Sequence, residues 1–329
     1  MPLALCCLSH SPLLDISTPK PDLLAEINLA LSQARNFAAA FDPDVVVLFA
    51  PDHYNGFFYK LMPQFCIGYE ASGIGDYGTE AGEFDVPREL AEGCAQSALD
   101  AGIDLAVSLK MEVDHGAVQP LDKVLGGLRA KPVVPIFVNS VAAPLGPIAR
   151  ARRLGEAIGE YLARRPERIL LIGSGGLSHD APVPTLASAP ADVAERLITG
   201  NAMTSTQRQE RTDRVIAAAN DFAAGTDNLR PLNPVWDRAL LDLLATGNLE
   251  AVDSWSNKWI EEQAGGSAHE VRTWVAAFAA LAAAGGYEVT SQYYRAIPEF
   301  IAGFAVTTAR PTGVSMKPIG DTTQAGEVN

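Results

Sequence analysis

The hydrophobic positions in the first 180 residues occur as short continuous runs that alternate with amphipathic segments. Runs of Val, Ile and Leu without polar alternation are typical of strands whose two faces are both covered by helices. Segments with apolar positions three or four residues apart are typical of helices packed on such a sheet. The pattern predicts strands over residues 3–8, 45–50, 105–109, 133–138 and 169–172, and helices over 22–40, 88–101 and 149–164.

Beyond residue 184 the pattern becomes helical. It predicts helices over 192–199, 206–224, 234–245, 249–262 and 268–284, followed by a short extended segment over 293–306. The whole pattern indicates an α/β fold with a mostly parallel central sheet flanked by helices and a helix-rich C-terminal part. Because no long Ser- or Gly-rich linker divides the chain, residues 1–310 are predicted to form a single domain. Residues 311–329 lack periodicity and are predicted to be a loose tail.

Composition and charge narrow the class of protein. Hydrophobic residues make up 48% of the 329 residues, charged residues make up 19%, and the net charge is −14. Such an acidic chain lacks the basic face that nucleic acids and anionic membranes require. The sequence has no apolar stretch long enough for a membrane span and no basic segment typical of a signal peptide. Its four cysteines form no CxxC pair, so we expect a cytoplasmic protein with reduced thiols.

The placement of the histidines is the main functional clue. The chain has only five, and four of them, His10, His53, His115 and His179, end or closely follow an apolar run. Ligands of open, mostly parallel sheets bind outside the carboxyl ends of the strands, so these imidazoles are expected to share one crevice. Imidazole is the commonest protein ligand for transition metals and also transfers protons near neutral pH. Two histidines and one carboxylate can bind one face of Fe(II) and leave positions open.

Glu270, in "SAHEVRTW", is the candidate carboxylate, but its spacing has a second interpretation. Ser267-x-x-Glu270 is a capping-box pattern, and spacing alone favours capping over metal ligation. On the same grounds His269 is expected to be a surface or cap residue. An HExxH zinc-protease motif is absent because Thr273 occupies the position of the second histidine.

The segment "GSGGLSH", residues 173–179, is rich in glycine. It has neither the GxGxxG spacing of a dinucleotide loop nor the lysine of a P-loop. We therefore expect a tight strand exit at which the backbone approaches a ligand closely. Asp52, Asp114 and Asp180 each adjoin a histidine in sequence, but adjacent side chains on extended backbone point apart, so these carboxylates need not contact those rings.

Several longer segments between residues 8 and 304 identify a family. They are "CLSHSPL", "VVLFAPDHYNGFFY", "GIDLAVS", "VDHG", "QPL", "IGSGGLSH", "PLNP", "HEVRTWVAAFAA" and "YYRAIPEFIAGF". Together they resemble the class III extradiol ring-cleavage dioxygenases related to protocatechuate 4,5-dioxygenase. Residues 110–112, just before "VDHG", depart from the family pattern, and the five candidate functional positions do not.

The resemblance implies a role for each of these positions. His10, His53 and Glu270 match the ligands of a non-haem Fe(II) ion, which favours ligation by Glu270 over capping. His115 matches the family's proton donor and His179 its proton acceptor. The implied substrates are O₂ and a small catechol that carries a propionate side chain, without nucleic acid or membrane partners. A homo-oligomer is expected as well.

Two alternatives remain open at this point. A zinc-dependent hydrolase accepts the same nitrogen and oxygen ligands, and a non-enzymatic relative would keep the fold as a binding module. The residues that bind the propionate are also open. Arg295, Tyr293 and Tyr294 in "QYYRAIPEF" are candidates, although the same segment is typical of aromatic packing beside a surface arginine.

Overall fold

The computed structural model describes residues 3–17, 19–226 and 228–312. In this part of the chain an eight-stranded sheet and a smaller three-stranded sheet combine with nine α-helices. The strands are β1 (Leu3–Leu8), β2 (Val45–Ala50), β3 (Phe65–Gly68), β4 (Ala71–Ile74), β5 (Ala81–Glu83), β6 (Ala106–Ser108), β7 (Met111–Val113), β8 (Val133–Val138), β9 (Ile169–Ser174), β10 (Tyr287–Ile297) and β11 (Ala302–Pro311). The helices are α1 (Pro21–Phe41), α2 (Arg88–Asp100), α3 (His115–Leu125), α4 (Ile148–Leu162), α5 (Ala191–Thr199), α6 (Ser205–Ala224), α7 (Pro234–Thr246), α8 (Asn257–Ala264) and α9 (Val271–Ala283).

The large sheet is mixed, with a parallel centre. Its order is β10-β11-β1-β9-β2-β8-β3-β6. Strands β1, β9, β2 and β8 are mutually parallel, whereas β11 pairs antiparallel with β1, and β3 pairs antiparallel with β8. The small sheet has the order β5-β4-β7. The four parallel strands therefore end at one edge, which is where the fold class predicts a site.

Both faces of the large sheet are buried. Along β1, Leu3, Leu5 and Cys7 belong to one hydrophobic core, and the residues between them belong to another. The first core includes apolar side chains of α2, α4, α7 and α9, and the second includes those of α1 and α3. Burial on both faces explains why the central strands are continuous apolar runs.

The α/β prediction is confirmed, and the central strands lie where the hydrophobic runs placed them. Four shorter strands, β3, β4, β5 and β7, and helix α3 were not predicted. Helix α3 begins two residues after β7 ends, and "HGAVQPLDKVL" carries a glycine and a proline that obscure its periodicity. The extended segment expected at 293–306 is a hairpin of β10 and β11.

The helix-rich segment after residue 184 contains α5 to α9, as expected. The single helix predicted over 249–262 is wrong, since a 3₁₀ turn, Leu249–Ser254, precedes α8. Strand β11 extends to Pro311, the first residue of the predicted tail, and residues 313–329 lie outside the described residues. All four cysteines are free and buried. Within the described residues, no helix combines the length and apolar character needed to cross a membrane.

Candidate active site

The five predicted site residues come together at the carboxyl edge of the parallel strands. His10 follows β1 by two residues, His53 follows β2 by three, and His179 follows β9 by five. His115 is the first residue of α3, and Glu270 ends the 3₁₀ turn that leads into α9. The histidines therefore share one edge of the sheet, as predicted, and the turn before α9 supplies the carboxylate.

The carboxylate of Glu270 lies at the centre of the group. Its Oε1 is 3.0 Å from His53 Nε2 and 3.4 Å from His179 Nε2, and its Oε2 is 3.6 Å from His10 Nε2. The Gly176 amide donates to Oε2 at 2.8 Å. Glu270 is 2% exposed, and no Lys or Arg of the described chain pairs with it. A buried carboxylate surrounded by imidazole nitrogens is a donor set that suits a metal cation.

His115 lies against the same group. Its ring centroid is 4.7 Å from that of His53 in a stacked arrangement, and 5.4 Å from that of His10. One ligand atom from each of these three histidines lies within 4.8 Å of the other two. The imidazoles of His10 and His53 thus lie close both to Glu270 and to His115.

The hydrogen bonds of His10 define which of its nitrogens is free. His10 Nδ1 is 2.9 Å from Ser174 Oγ, and the Ser174 hydroxyl donates its only proton to the Gly116 carbonyl at 2.5 Å. Ser174 Oγ must therefore accept from His10, so the proton of the neutral ring is on Nδ1. The lone pair of Nε2 then points toward Glu270, as a metal ligand requires.

Asp114 orients His53 in the same way. Its Oδ2 accepts from His53 Nδ1 at 3.0 Å, from the His53 amide at 2.8 Å and from Asn55 Nδ2 at 2.8 Å. Its Oδ1 accepts from the Gly116 amide at 2.9 Å and caps α3. A carboxylate that accepts Nδ1–H leaves Nε2 free for a metal. Although Asp114 directly precedes His115 in sequence, its hydrogen bond goes to the distant ring of His53. Asp114 Oδ2 lies 4.0 Å from His115 Nδ1.

The other two imidazoles are also held through Nδ1. His115 Nδ1 is 2.7 Å from Asp76 Oδ2, and the His115 amide donates to Asp76 Oδ1 at 2.8 Å. His179 Nδ1 donates at 2.9 Å to the Leu177 carbonyl, which can only accept. All four rings therefore present their Nε2 side away from their anchoring bonds, and three of these nitrogens contact Glu270.

The electrostatics of the site follow from burial and these contacts. Burial lowers the pKa of His10 to about 3, despite the opposing charge of Glu270, so this ring is neutral. Burial alone would raise the pKa of Glu270, but the charge and hydrogen bond of His179, together with the hydrogen bond from His53, outweigh it and hold the pKa well below its usual range. Burial also opposes protonation of His53, yet Asp114 and Glu270 raise its pKa well above the ordinary value. The Glu270 carboxylate is therefore kept charged, and the raised pKa values of His53 and His179 provide the positive charge beside it.

The glycine-rich loop approaches Glu270 closely, in agreement with the prediction of a tight strand exit. A Cβ on Gly175 would lie 2.7 Å from the Glu270 Cβ and 2.8 Å from its carbonyl oxygen. A Cβ on Gly176 would lie 2.8 Å from Cε1 of His179. Any side chain at either position would displace one of the functional residues, which explains the glycine pair.

Two alternative interpretations from the sequence are wrong. The Glu270 side chain does not cap, since it points into the crevice and neither the 3₁₀ turn nor α9 has a side-chain cap. His269 is not at the surface, because it is 1% exposed. Its Nε2 contacts Glu261 at 3.1 Å, and Arg272 donates to its Nδ1 at 3.3 Å. These bonds anchor the turn that carries Glu270.

Sequence analysis missed the residues that orient the rings. Asp76 sits in "GIGDYG", where nothing in the pattern marks it. Ser174 was read only as part of the glycine-rich strand exit. Asp114 was noticed as a neighbour of His115, but its bond to His53 spans 61 residues. No local signal could have identified these partners, because each bond joins distant segments.

The fold and the site define a class: an α/β protein in which strand-end histidines and one helix-start carboxylate line a crevice whose donor atoms suit a metal ion. Residues 4–305 match the model of the family described as "Catalytic LigB subunit of aromatic ring-opening dioxygenase". The chain belongs to this family and is a metal-dependent, extradiol-type ring-opening dioxygenase that uses O₂. This membership favours the dioxygenase over the hydrolase and binding-module alternatives.

Three relatives of high similarity share the name 2,3-dihydroxyphenylpropionate/2,3-dihydroxicinnamic acid 1,2-dioxygenase. The protein of Mycolicibacterium vanbaalenii is 62% identical over 93% of this chain and 97% of its own length. That of Mycolicibacterium paratuberculosis is 58% identical over 94% and 100%, respectively. That of Mycolicibacterium gilvum is 59% identical over 94% and 98%. The similarity therefore covers nearly the full length of both partners.

Proposed function

We propose that the protein cleaves the ring of 3-(2,3-dihydroxyphenyl)propionate, and of 2,3-dihydroxycinnamate, with Fe(II) and O₂. The product from the first substrate is 2-hydroxy-6-oxonona-2,4-dienedioate. The names of relatives up to 62% identical support this substrate class. The observation that carries the proposal is the convergence of three imidazoles, His10, His53 and His179, on the buried carboxylate of Glu270, with the ring of His115 stacked on that of His53. We further propose that residues 1–310 act as one catalytic domain in a cytoplasmic homo-oligomer.

His10, His53 and Glu270 are the proposed ligands of Fe(II). Each imidazole has its Nδ1 engaged, by Ser174 or by Asp114, so Nε2 is the nitrogen left to bind the ion, which would displace any proton there. Two histidines and one carboxylate on one face of a ferrous ion form a common oxygenase ligand set. When bound, Fe(II) supplies the one-electron chemistry that O₂ needs and open positions for the two catechol oxygens.

His179 is the proposed proton acceptor for a catechol hydroxyl. Its Nδ1 proton is held by the Leu177 carbonyl, so Nε2 carries the lone pair that accepts. Burial opposes protonation of His179, but the Glu270 carboxylate 3.4 Å away outweighs it and raises the pKa. The same carboxylate stabilises the imidazolium after proton transfer.

His115 is the proposed proton donor during ring opening. It lies beside His10 and His53, and Asp76 holds its Nδ1 at 2.7 Å. An aspartate on Nδ1 fixes the orientation of the ring, as in other acid–base histidines. The remaining ring nitrogen is then the group that delivers the proton.

The test is oxygen consumption after anaerobic loading with Fe(II). We expect O₂ uptake and a yellow product with 3-(2,3-dihydroxyphenyl)propionate, and less turnover with protocatechuate and plain catechol. Loading with Zn²⁺ in place of Fe(II) serves as the control, since Zn²⁺ has no redox chemistry. Absence of O₂ uptake with every catechol in the Fe(II)-loaded protein would contradict the proposal.

A further inference from the structure

We propose that Arg196 and Arg211 form a carboxylate-binding site beside the metal centre, selecting catechols whose side chain ends in an anion. The inference rests on the proposed function and deepens it by naming the residues that recognise the side chain. The two arginines come from α5 and α6, which belong to the helix-rich part after residue 184. Both reach the segment that directly follows His53.

Arg211 lies two contacts away from the proposed proton donor. Its Nη1 donates to Asn55 Oδ1 at 3.0 Å, and its Nη2 lies 3.4 Å from Asp76 Oδ2. Its guanidinium stands over the ring of Tyr77 at 4.7 Å, and that ring meets His115 edge-on at 4.9 Å. Arg211 Nε is buried and has no hydrogen-bond partner among the described residues.

Arg196 approaches the same segment from the neighbouring helix. Its Nη1 donates to the Tyr54 carbonyl at 3.1 Å, and Tyr54 is the residue after His53. Within the described part of the chain, no carboxylate lies within ion-pairing distance of Arg196. A partly buried guanidinium bonded only to a neutral carbonyl has unused charge-assisted donors.

Arg196 and Arg211 together carry more positive charge than the carboxylates paired with them in the described residues can balance. The only ion pair of Arg211 in the described residues is with Asp76, whose same oxygen also binds His115. Burial, followed by the charge of Arg211, lowers the pKa of Arg196, and the charge of Asp52 only partly opposes this. Two arginines that reach neighbouring residues and have one directly paired carboxylate between them in the described chain suit an anionic ligand, since a carboxylate can accept from both.

Arg295, the cation that the sequence suggested for the propionate, lies at the surface and is paired with Glu26. Arg295 is exposed and donates to both carboxylate oxygens of Glu26, at 2.8 and 3.2 Å. Tyr294 donates to the buried Asp237. Arg295 is therefore already paired at the surface, which makes it a suitable control rather than a candidate.

The experiment compares two ligands of nearly the same shape, one anionic and one neutral: 3-(2,3-dihydroxyphenyl)propionate and its propanamide. Affinities are measured by anaerobic calorimetry on the full-length protein loaded with Fe(II), so no turnover occurs. We expect the wild type to favour the acid by roughly 10- to 100-fold, the range for hydrogen bonds to charged groups. Arg196→Gln should reduce this preference to within about threefold, and Arg196→Lys should retain part of it. Arg211→Gln and Arg211→Lys should follow the same order, and Arg295→Gln should behave as wild type.

The inference is overturned if the wild type binds acid and amide equally, or if both Gln variants keep the full preference. Equal losses for the two ligands leave the preference unchanged and count against it as well. If a Gln variant binds neither ligand, the Lys variant decides, since a preserved preference there requires the positive charge. A wild type that shows the preference but consumes no O₂ refutes the proposed function and leaves the anion site intact.

Discussion

Replacing Ser174 by alanine tests whether a hydroxyl selects the metal-binding form of His10. In the wild type, Ser174 Oγ accepts the Nδ1 proton of His10 because its own proton is committed to the Gly116 carbonyl. In Ser174→Ala the metal-free ring can move its proton to Nε2, which faces the Glu270 carboxylate 3.6 Å away. That form cannot bind Fe(II), and the metal-bound form keeps a buried N–H without a partner.

The cost follows from the unpaired group. A buried donor left without its acceptor costs about 1–3 kcal/mol, which corresponds to a roughly 5- to 150-fold weaker Fe(II) affinity at about 1.4 kcal/mol per factor of ten. Anaerobic Fe(II) titration of the purified variant measures the effect. Ser140→Ala is the matched control, since Ser140 is also buried and its hydroxyl donates to the Val138 carbonyl, without contact to a histidine. An equal Fe(II) affinity in the two variants would refute the tautomer argument.

Three further predictions separate the roles of the site residues. His115→Gln and His179→Gln should keep iron but lose about 10²–10⁴-fold in kcat, the contribution of a general acid or base; wild-type turnover in either variant would remove its assigned role. His53→Ala should lose iron itself, as metal analysis would show, and a full iron content would exclude His53 as a ligand. Asp114→Asn should weaken Fe(II) affinity about 10- to 100-fold, as loss of a ligand's hydrogen-bond partner does, and unchanged affinity would mean that the Asp114–His53 bond is dispensable.

The sheet and the members of the site were largely predictable because their signals are local. A strand buried on both faces is a continuous apolar run, so β1, β2 and β8 were located to the residue. A histidine just after such a run must lie near the carboxyl edge of the sheet. Short strands at the sheet margin, such as β5, expose part of their residues and leave no comparable run. Their existence depends on pairing with β4, which the sequence pattern does not contain.

The role of the Glu270 side chain was harder to predict from the sequence than its position at a helix start. The same four residues, Ser267 to Glu270, satisfy a capping pattern, and local spacing favours that use. The structure resolves the ambiguity through contacts from other segments. The glycine loop after β9 brings an amide to Glu270 Oε2, and His53, 217 residues away in sequence, contacts Oε1. These two contacts hold the Glu270 carboxylate in the crevice and not at the helix end.

The orientation of the four imidazoles shows where prediction from sequence must stop. Each ring is fixed through Nδ1, but the anchors are chemically unrelated: a hydroxyl, two carboxylates and a backbone carbonyl. Three of the anchoring bonds span 164, 61 and 39 residues. The positions of His10, His53 and His179 could be predicted, because each follows the end of one strand that the sequence pattern locates. The proton on each ring depends on a pair of segments that only the folded chain brings together.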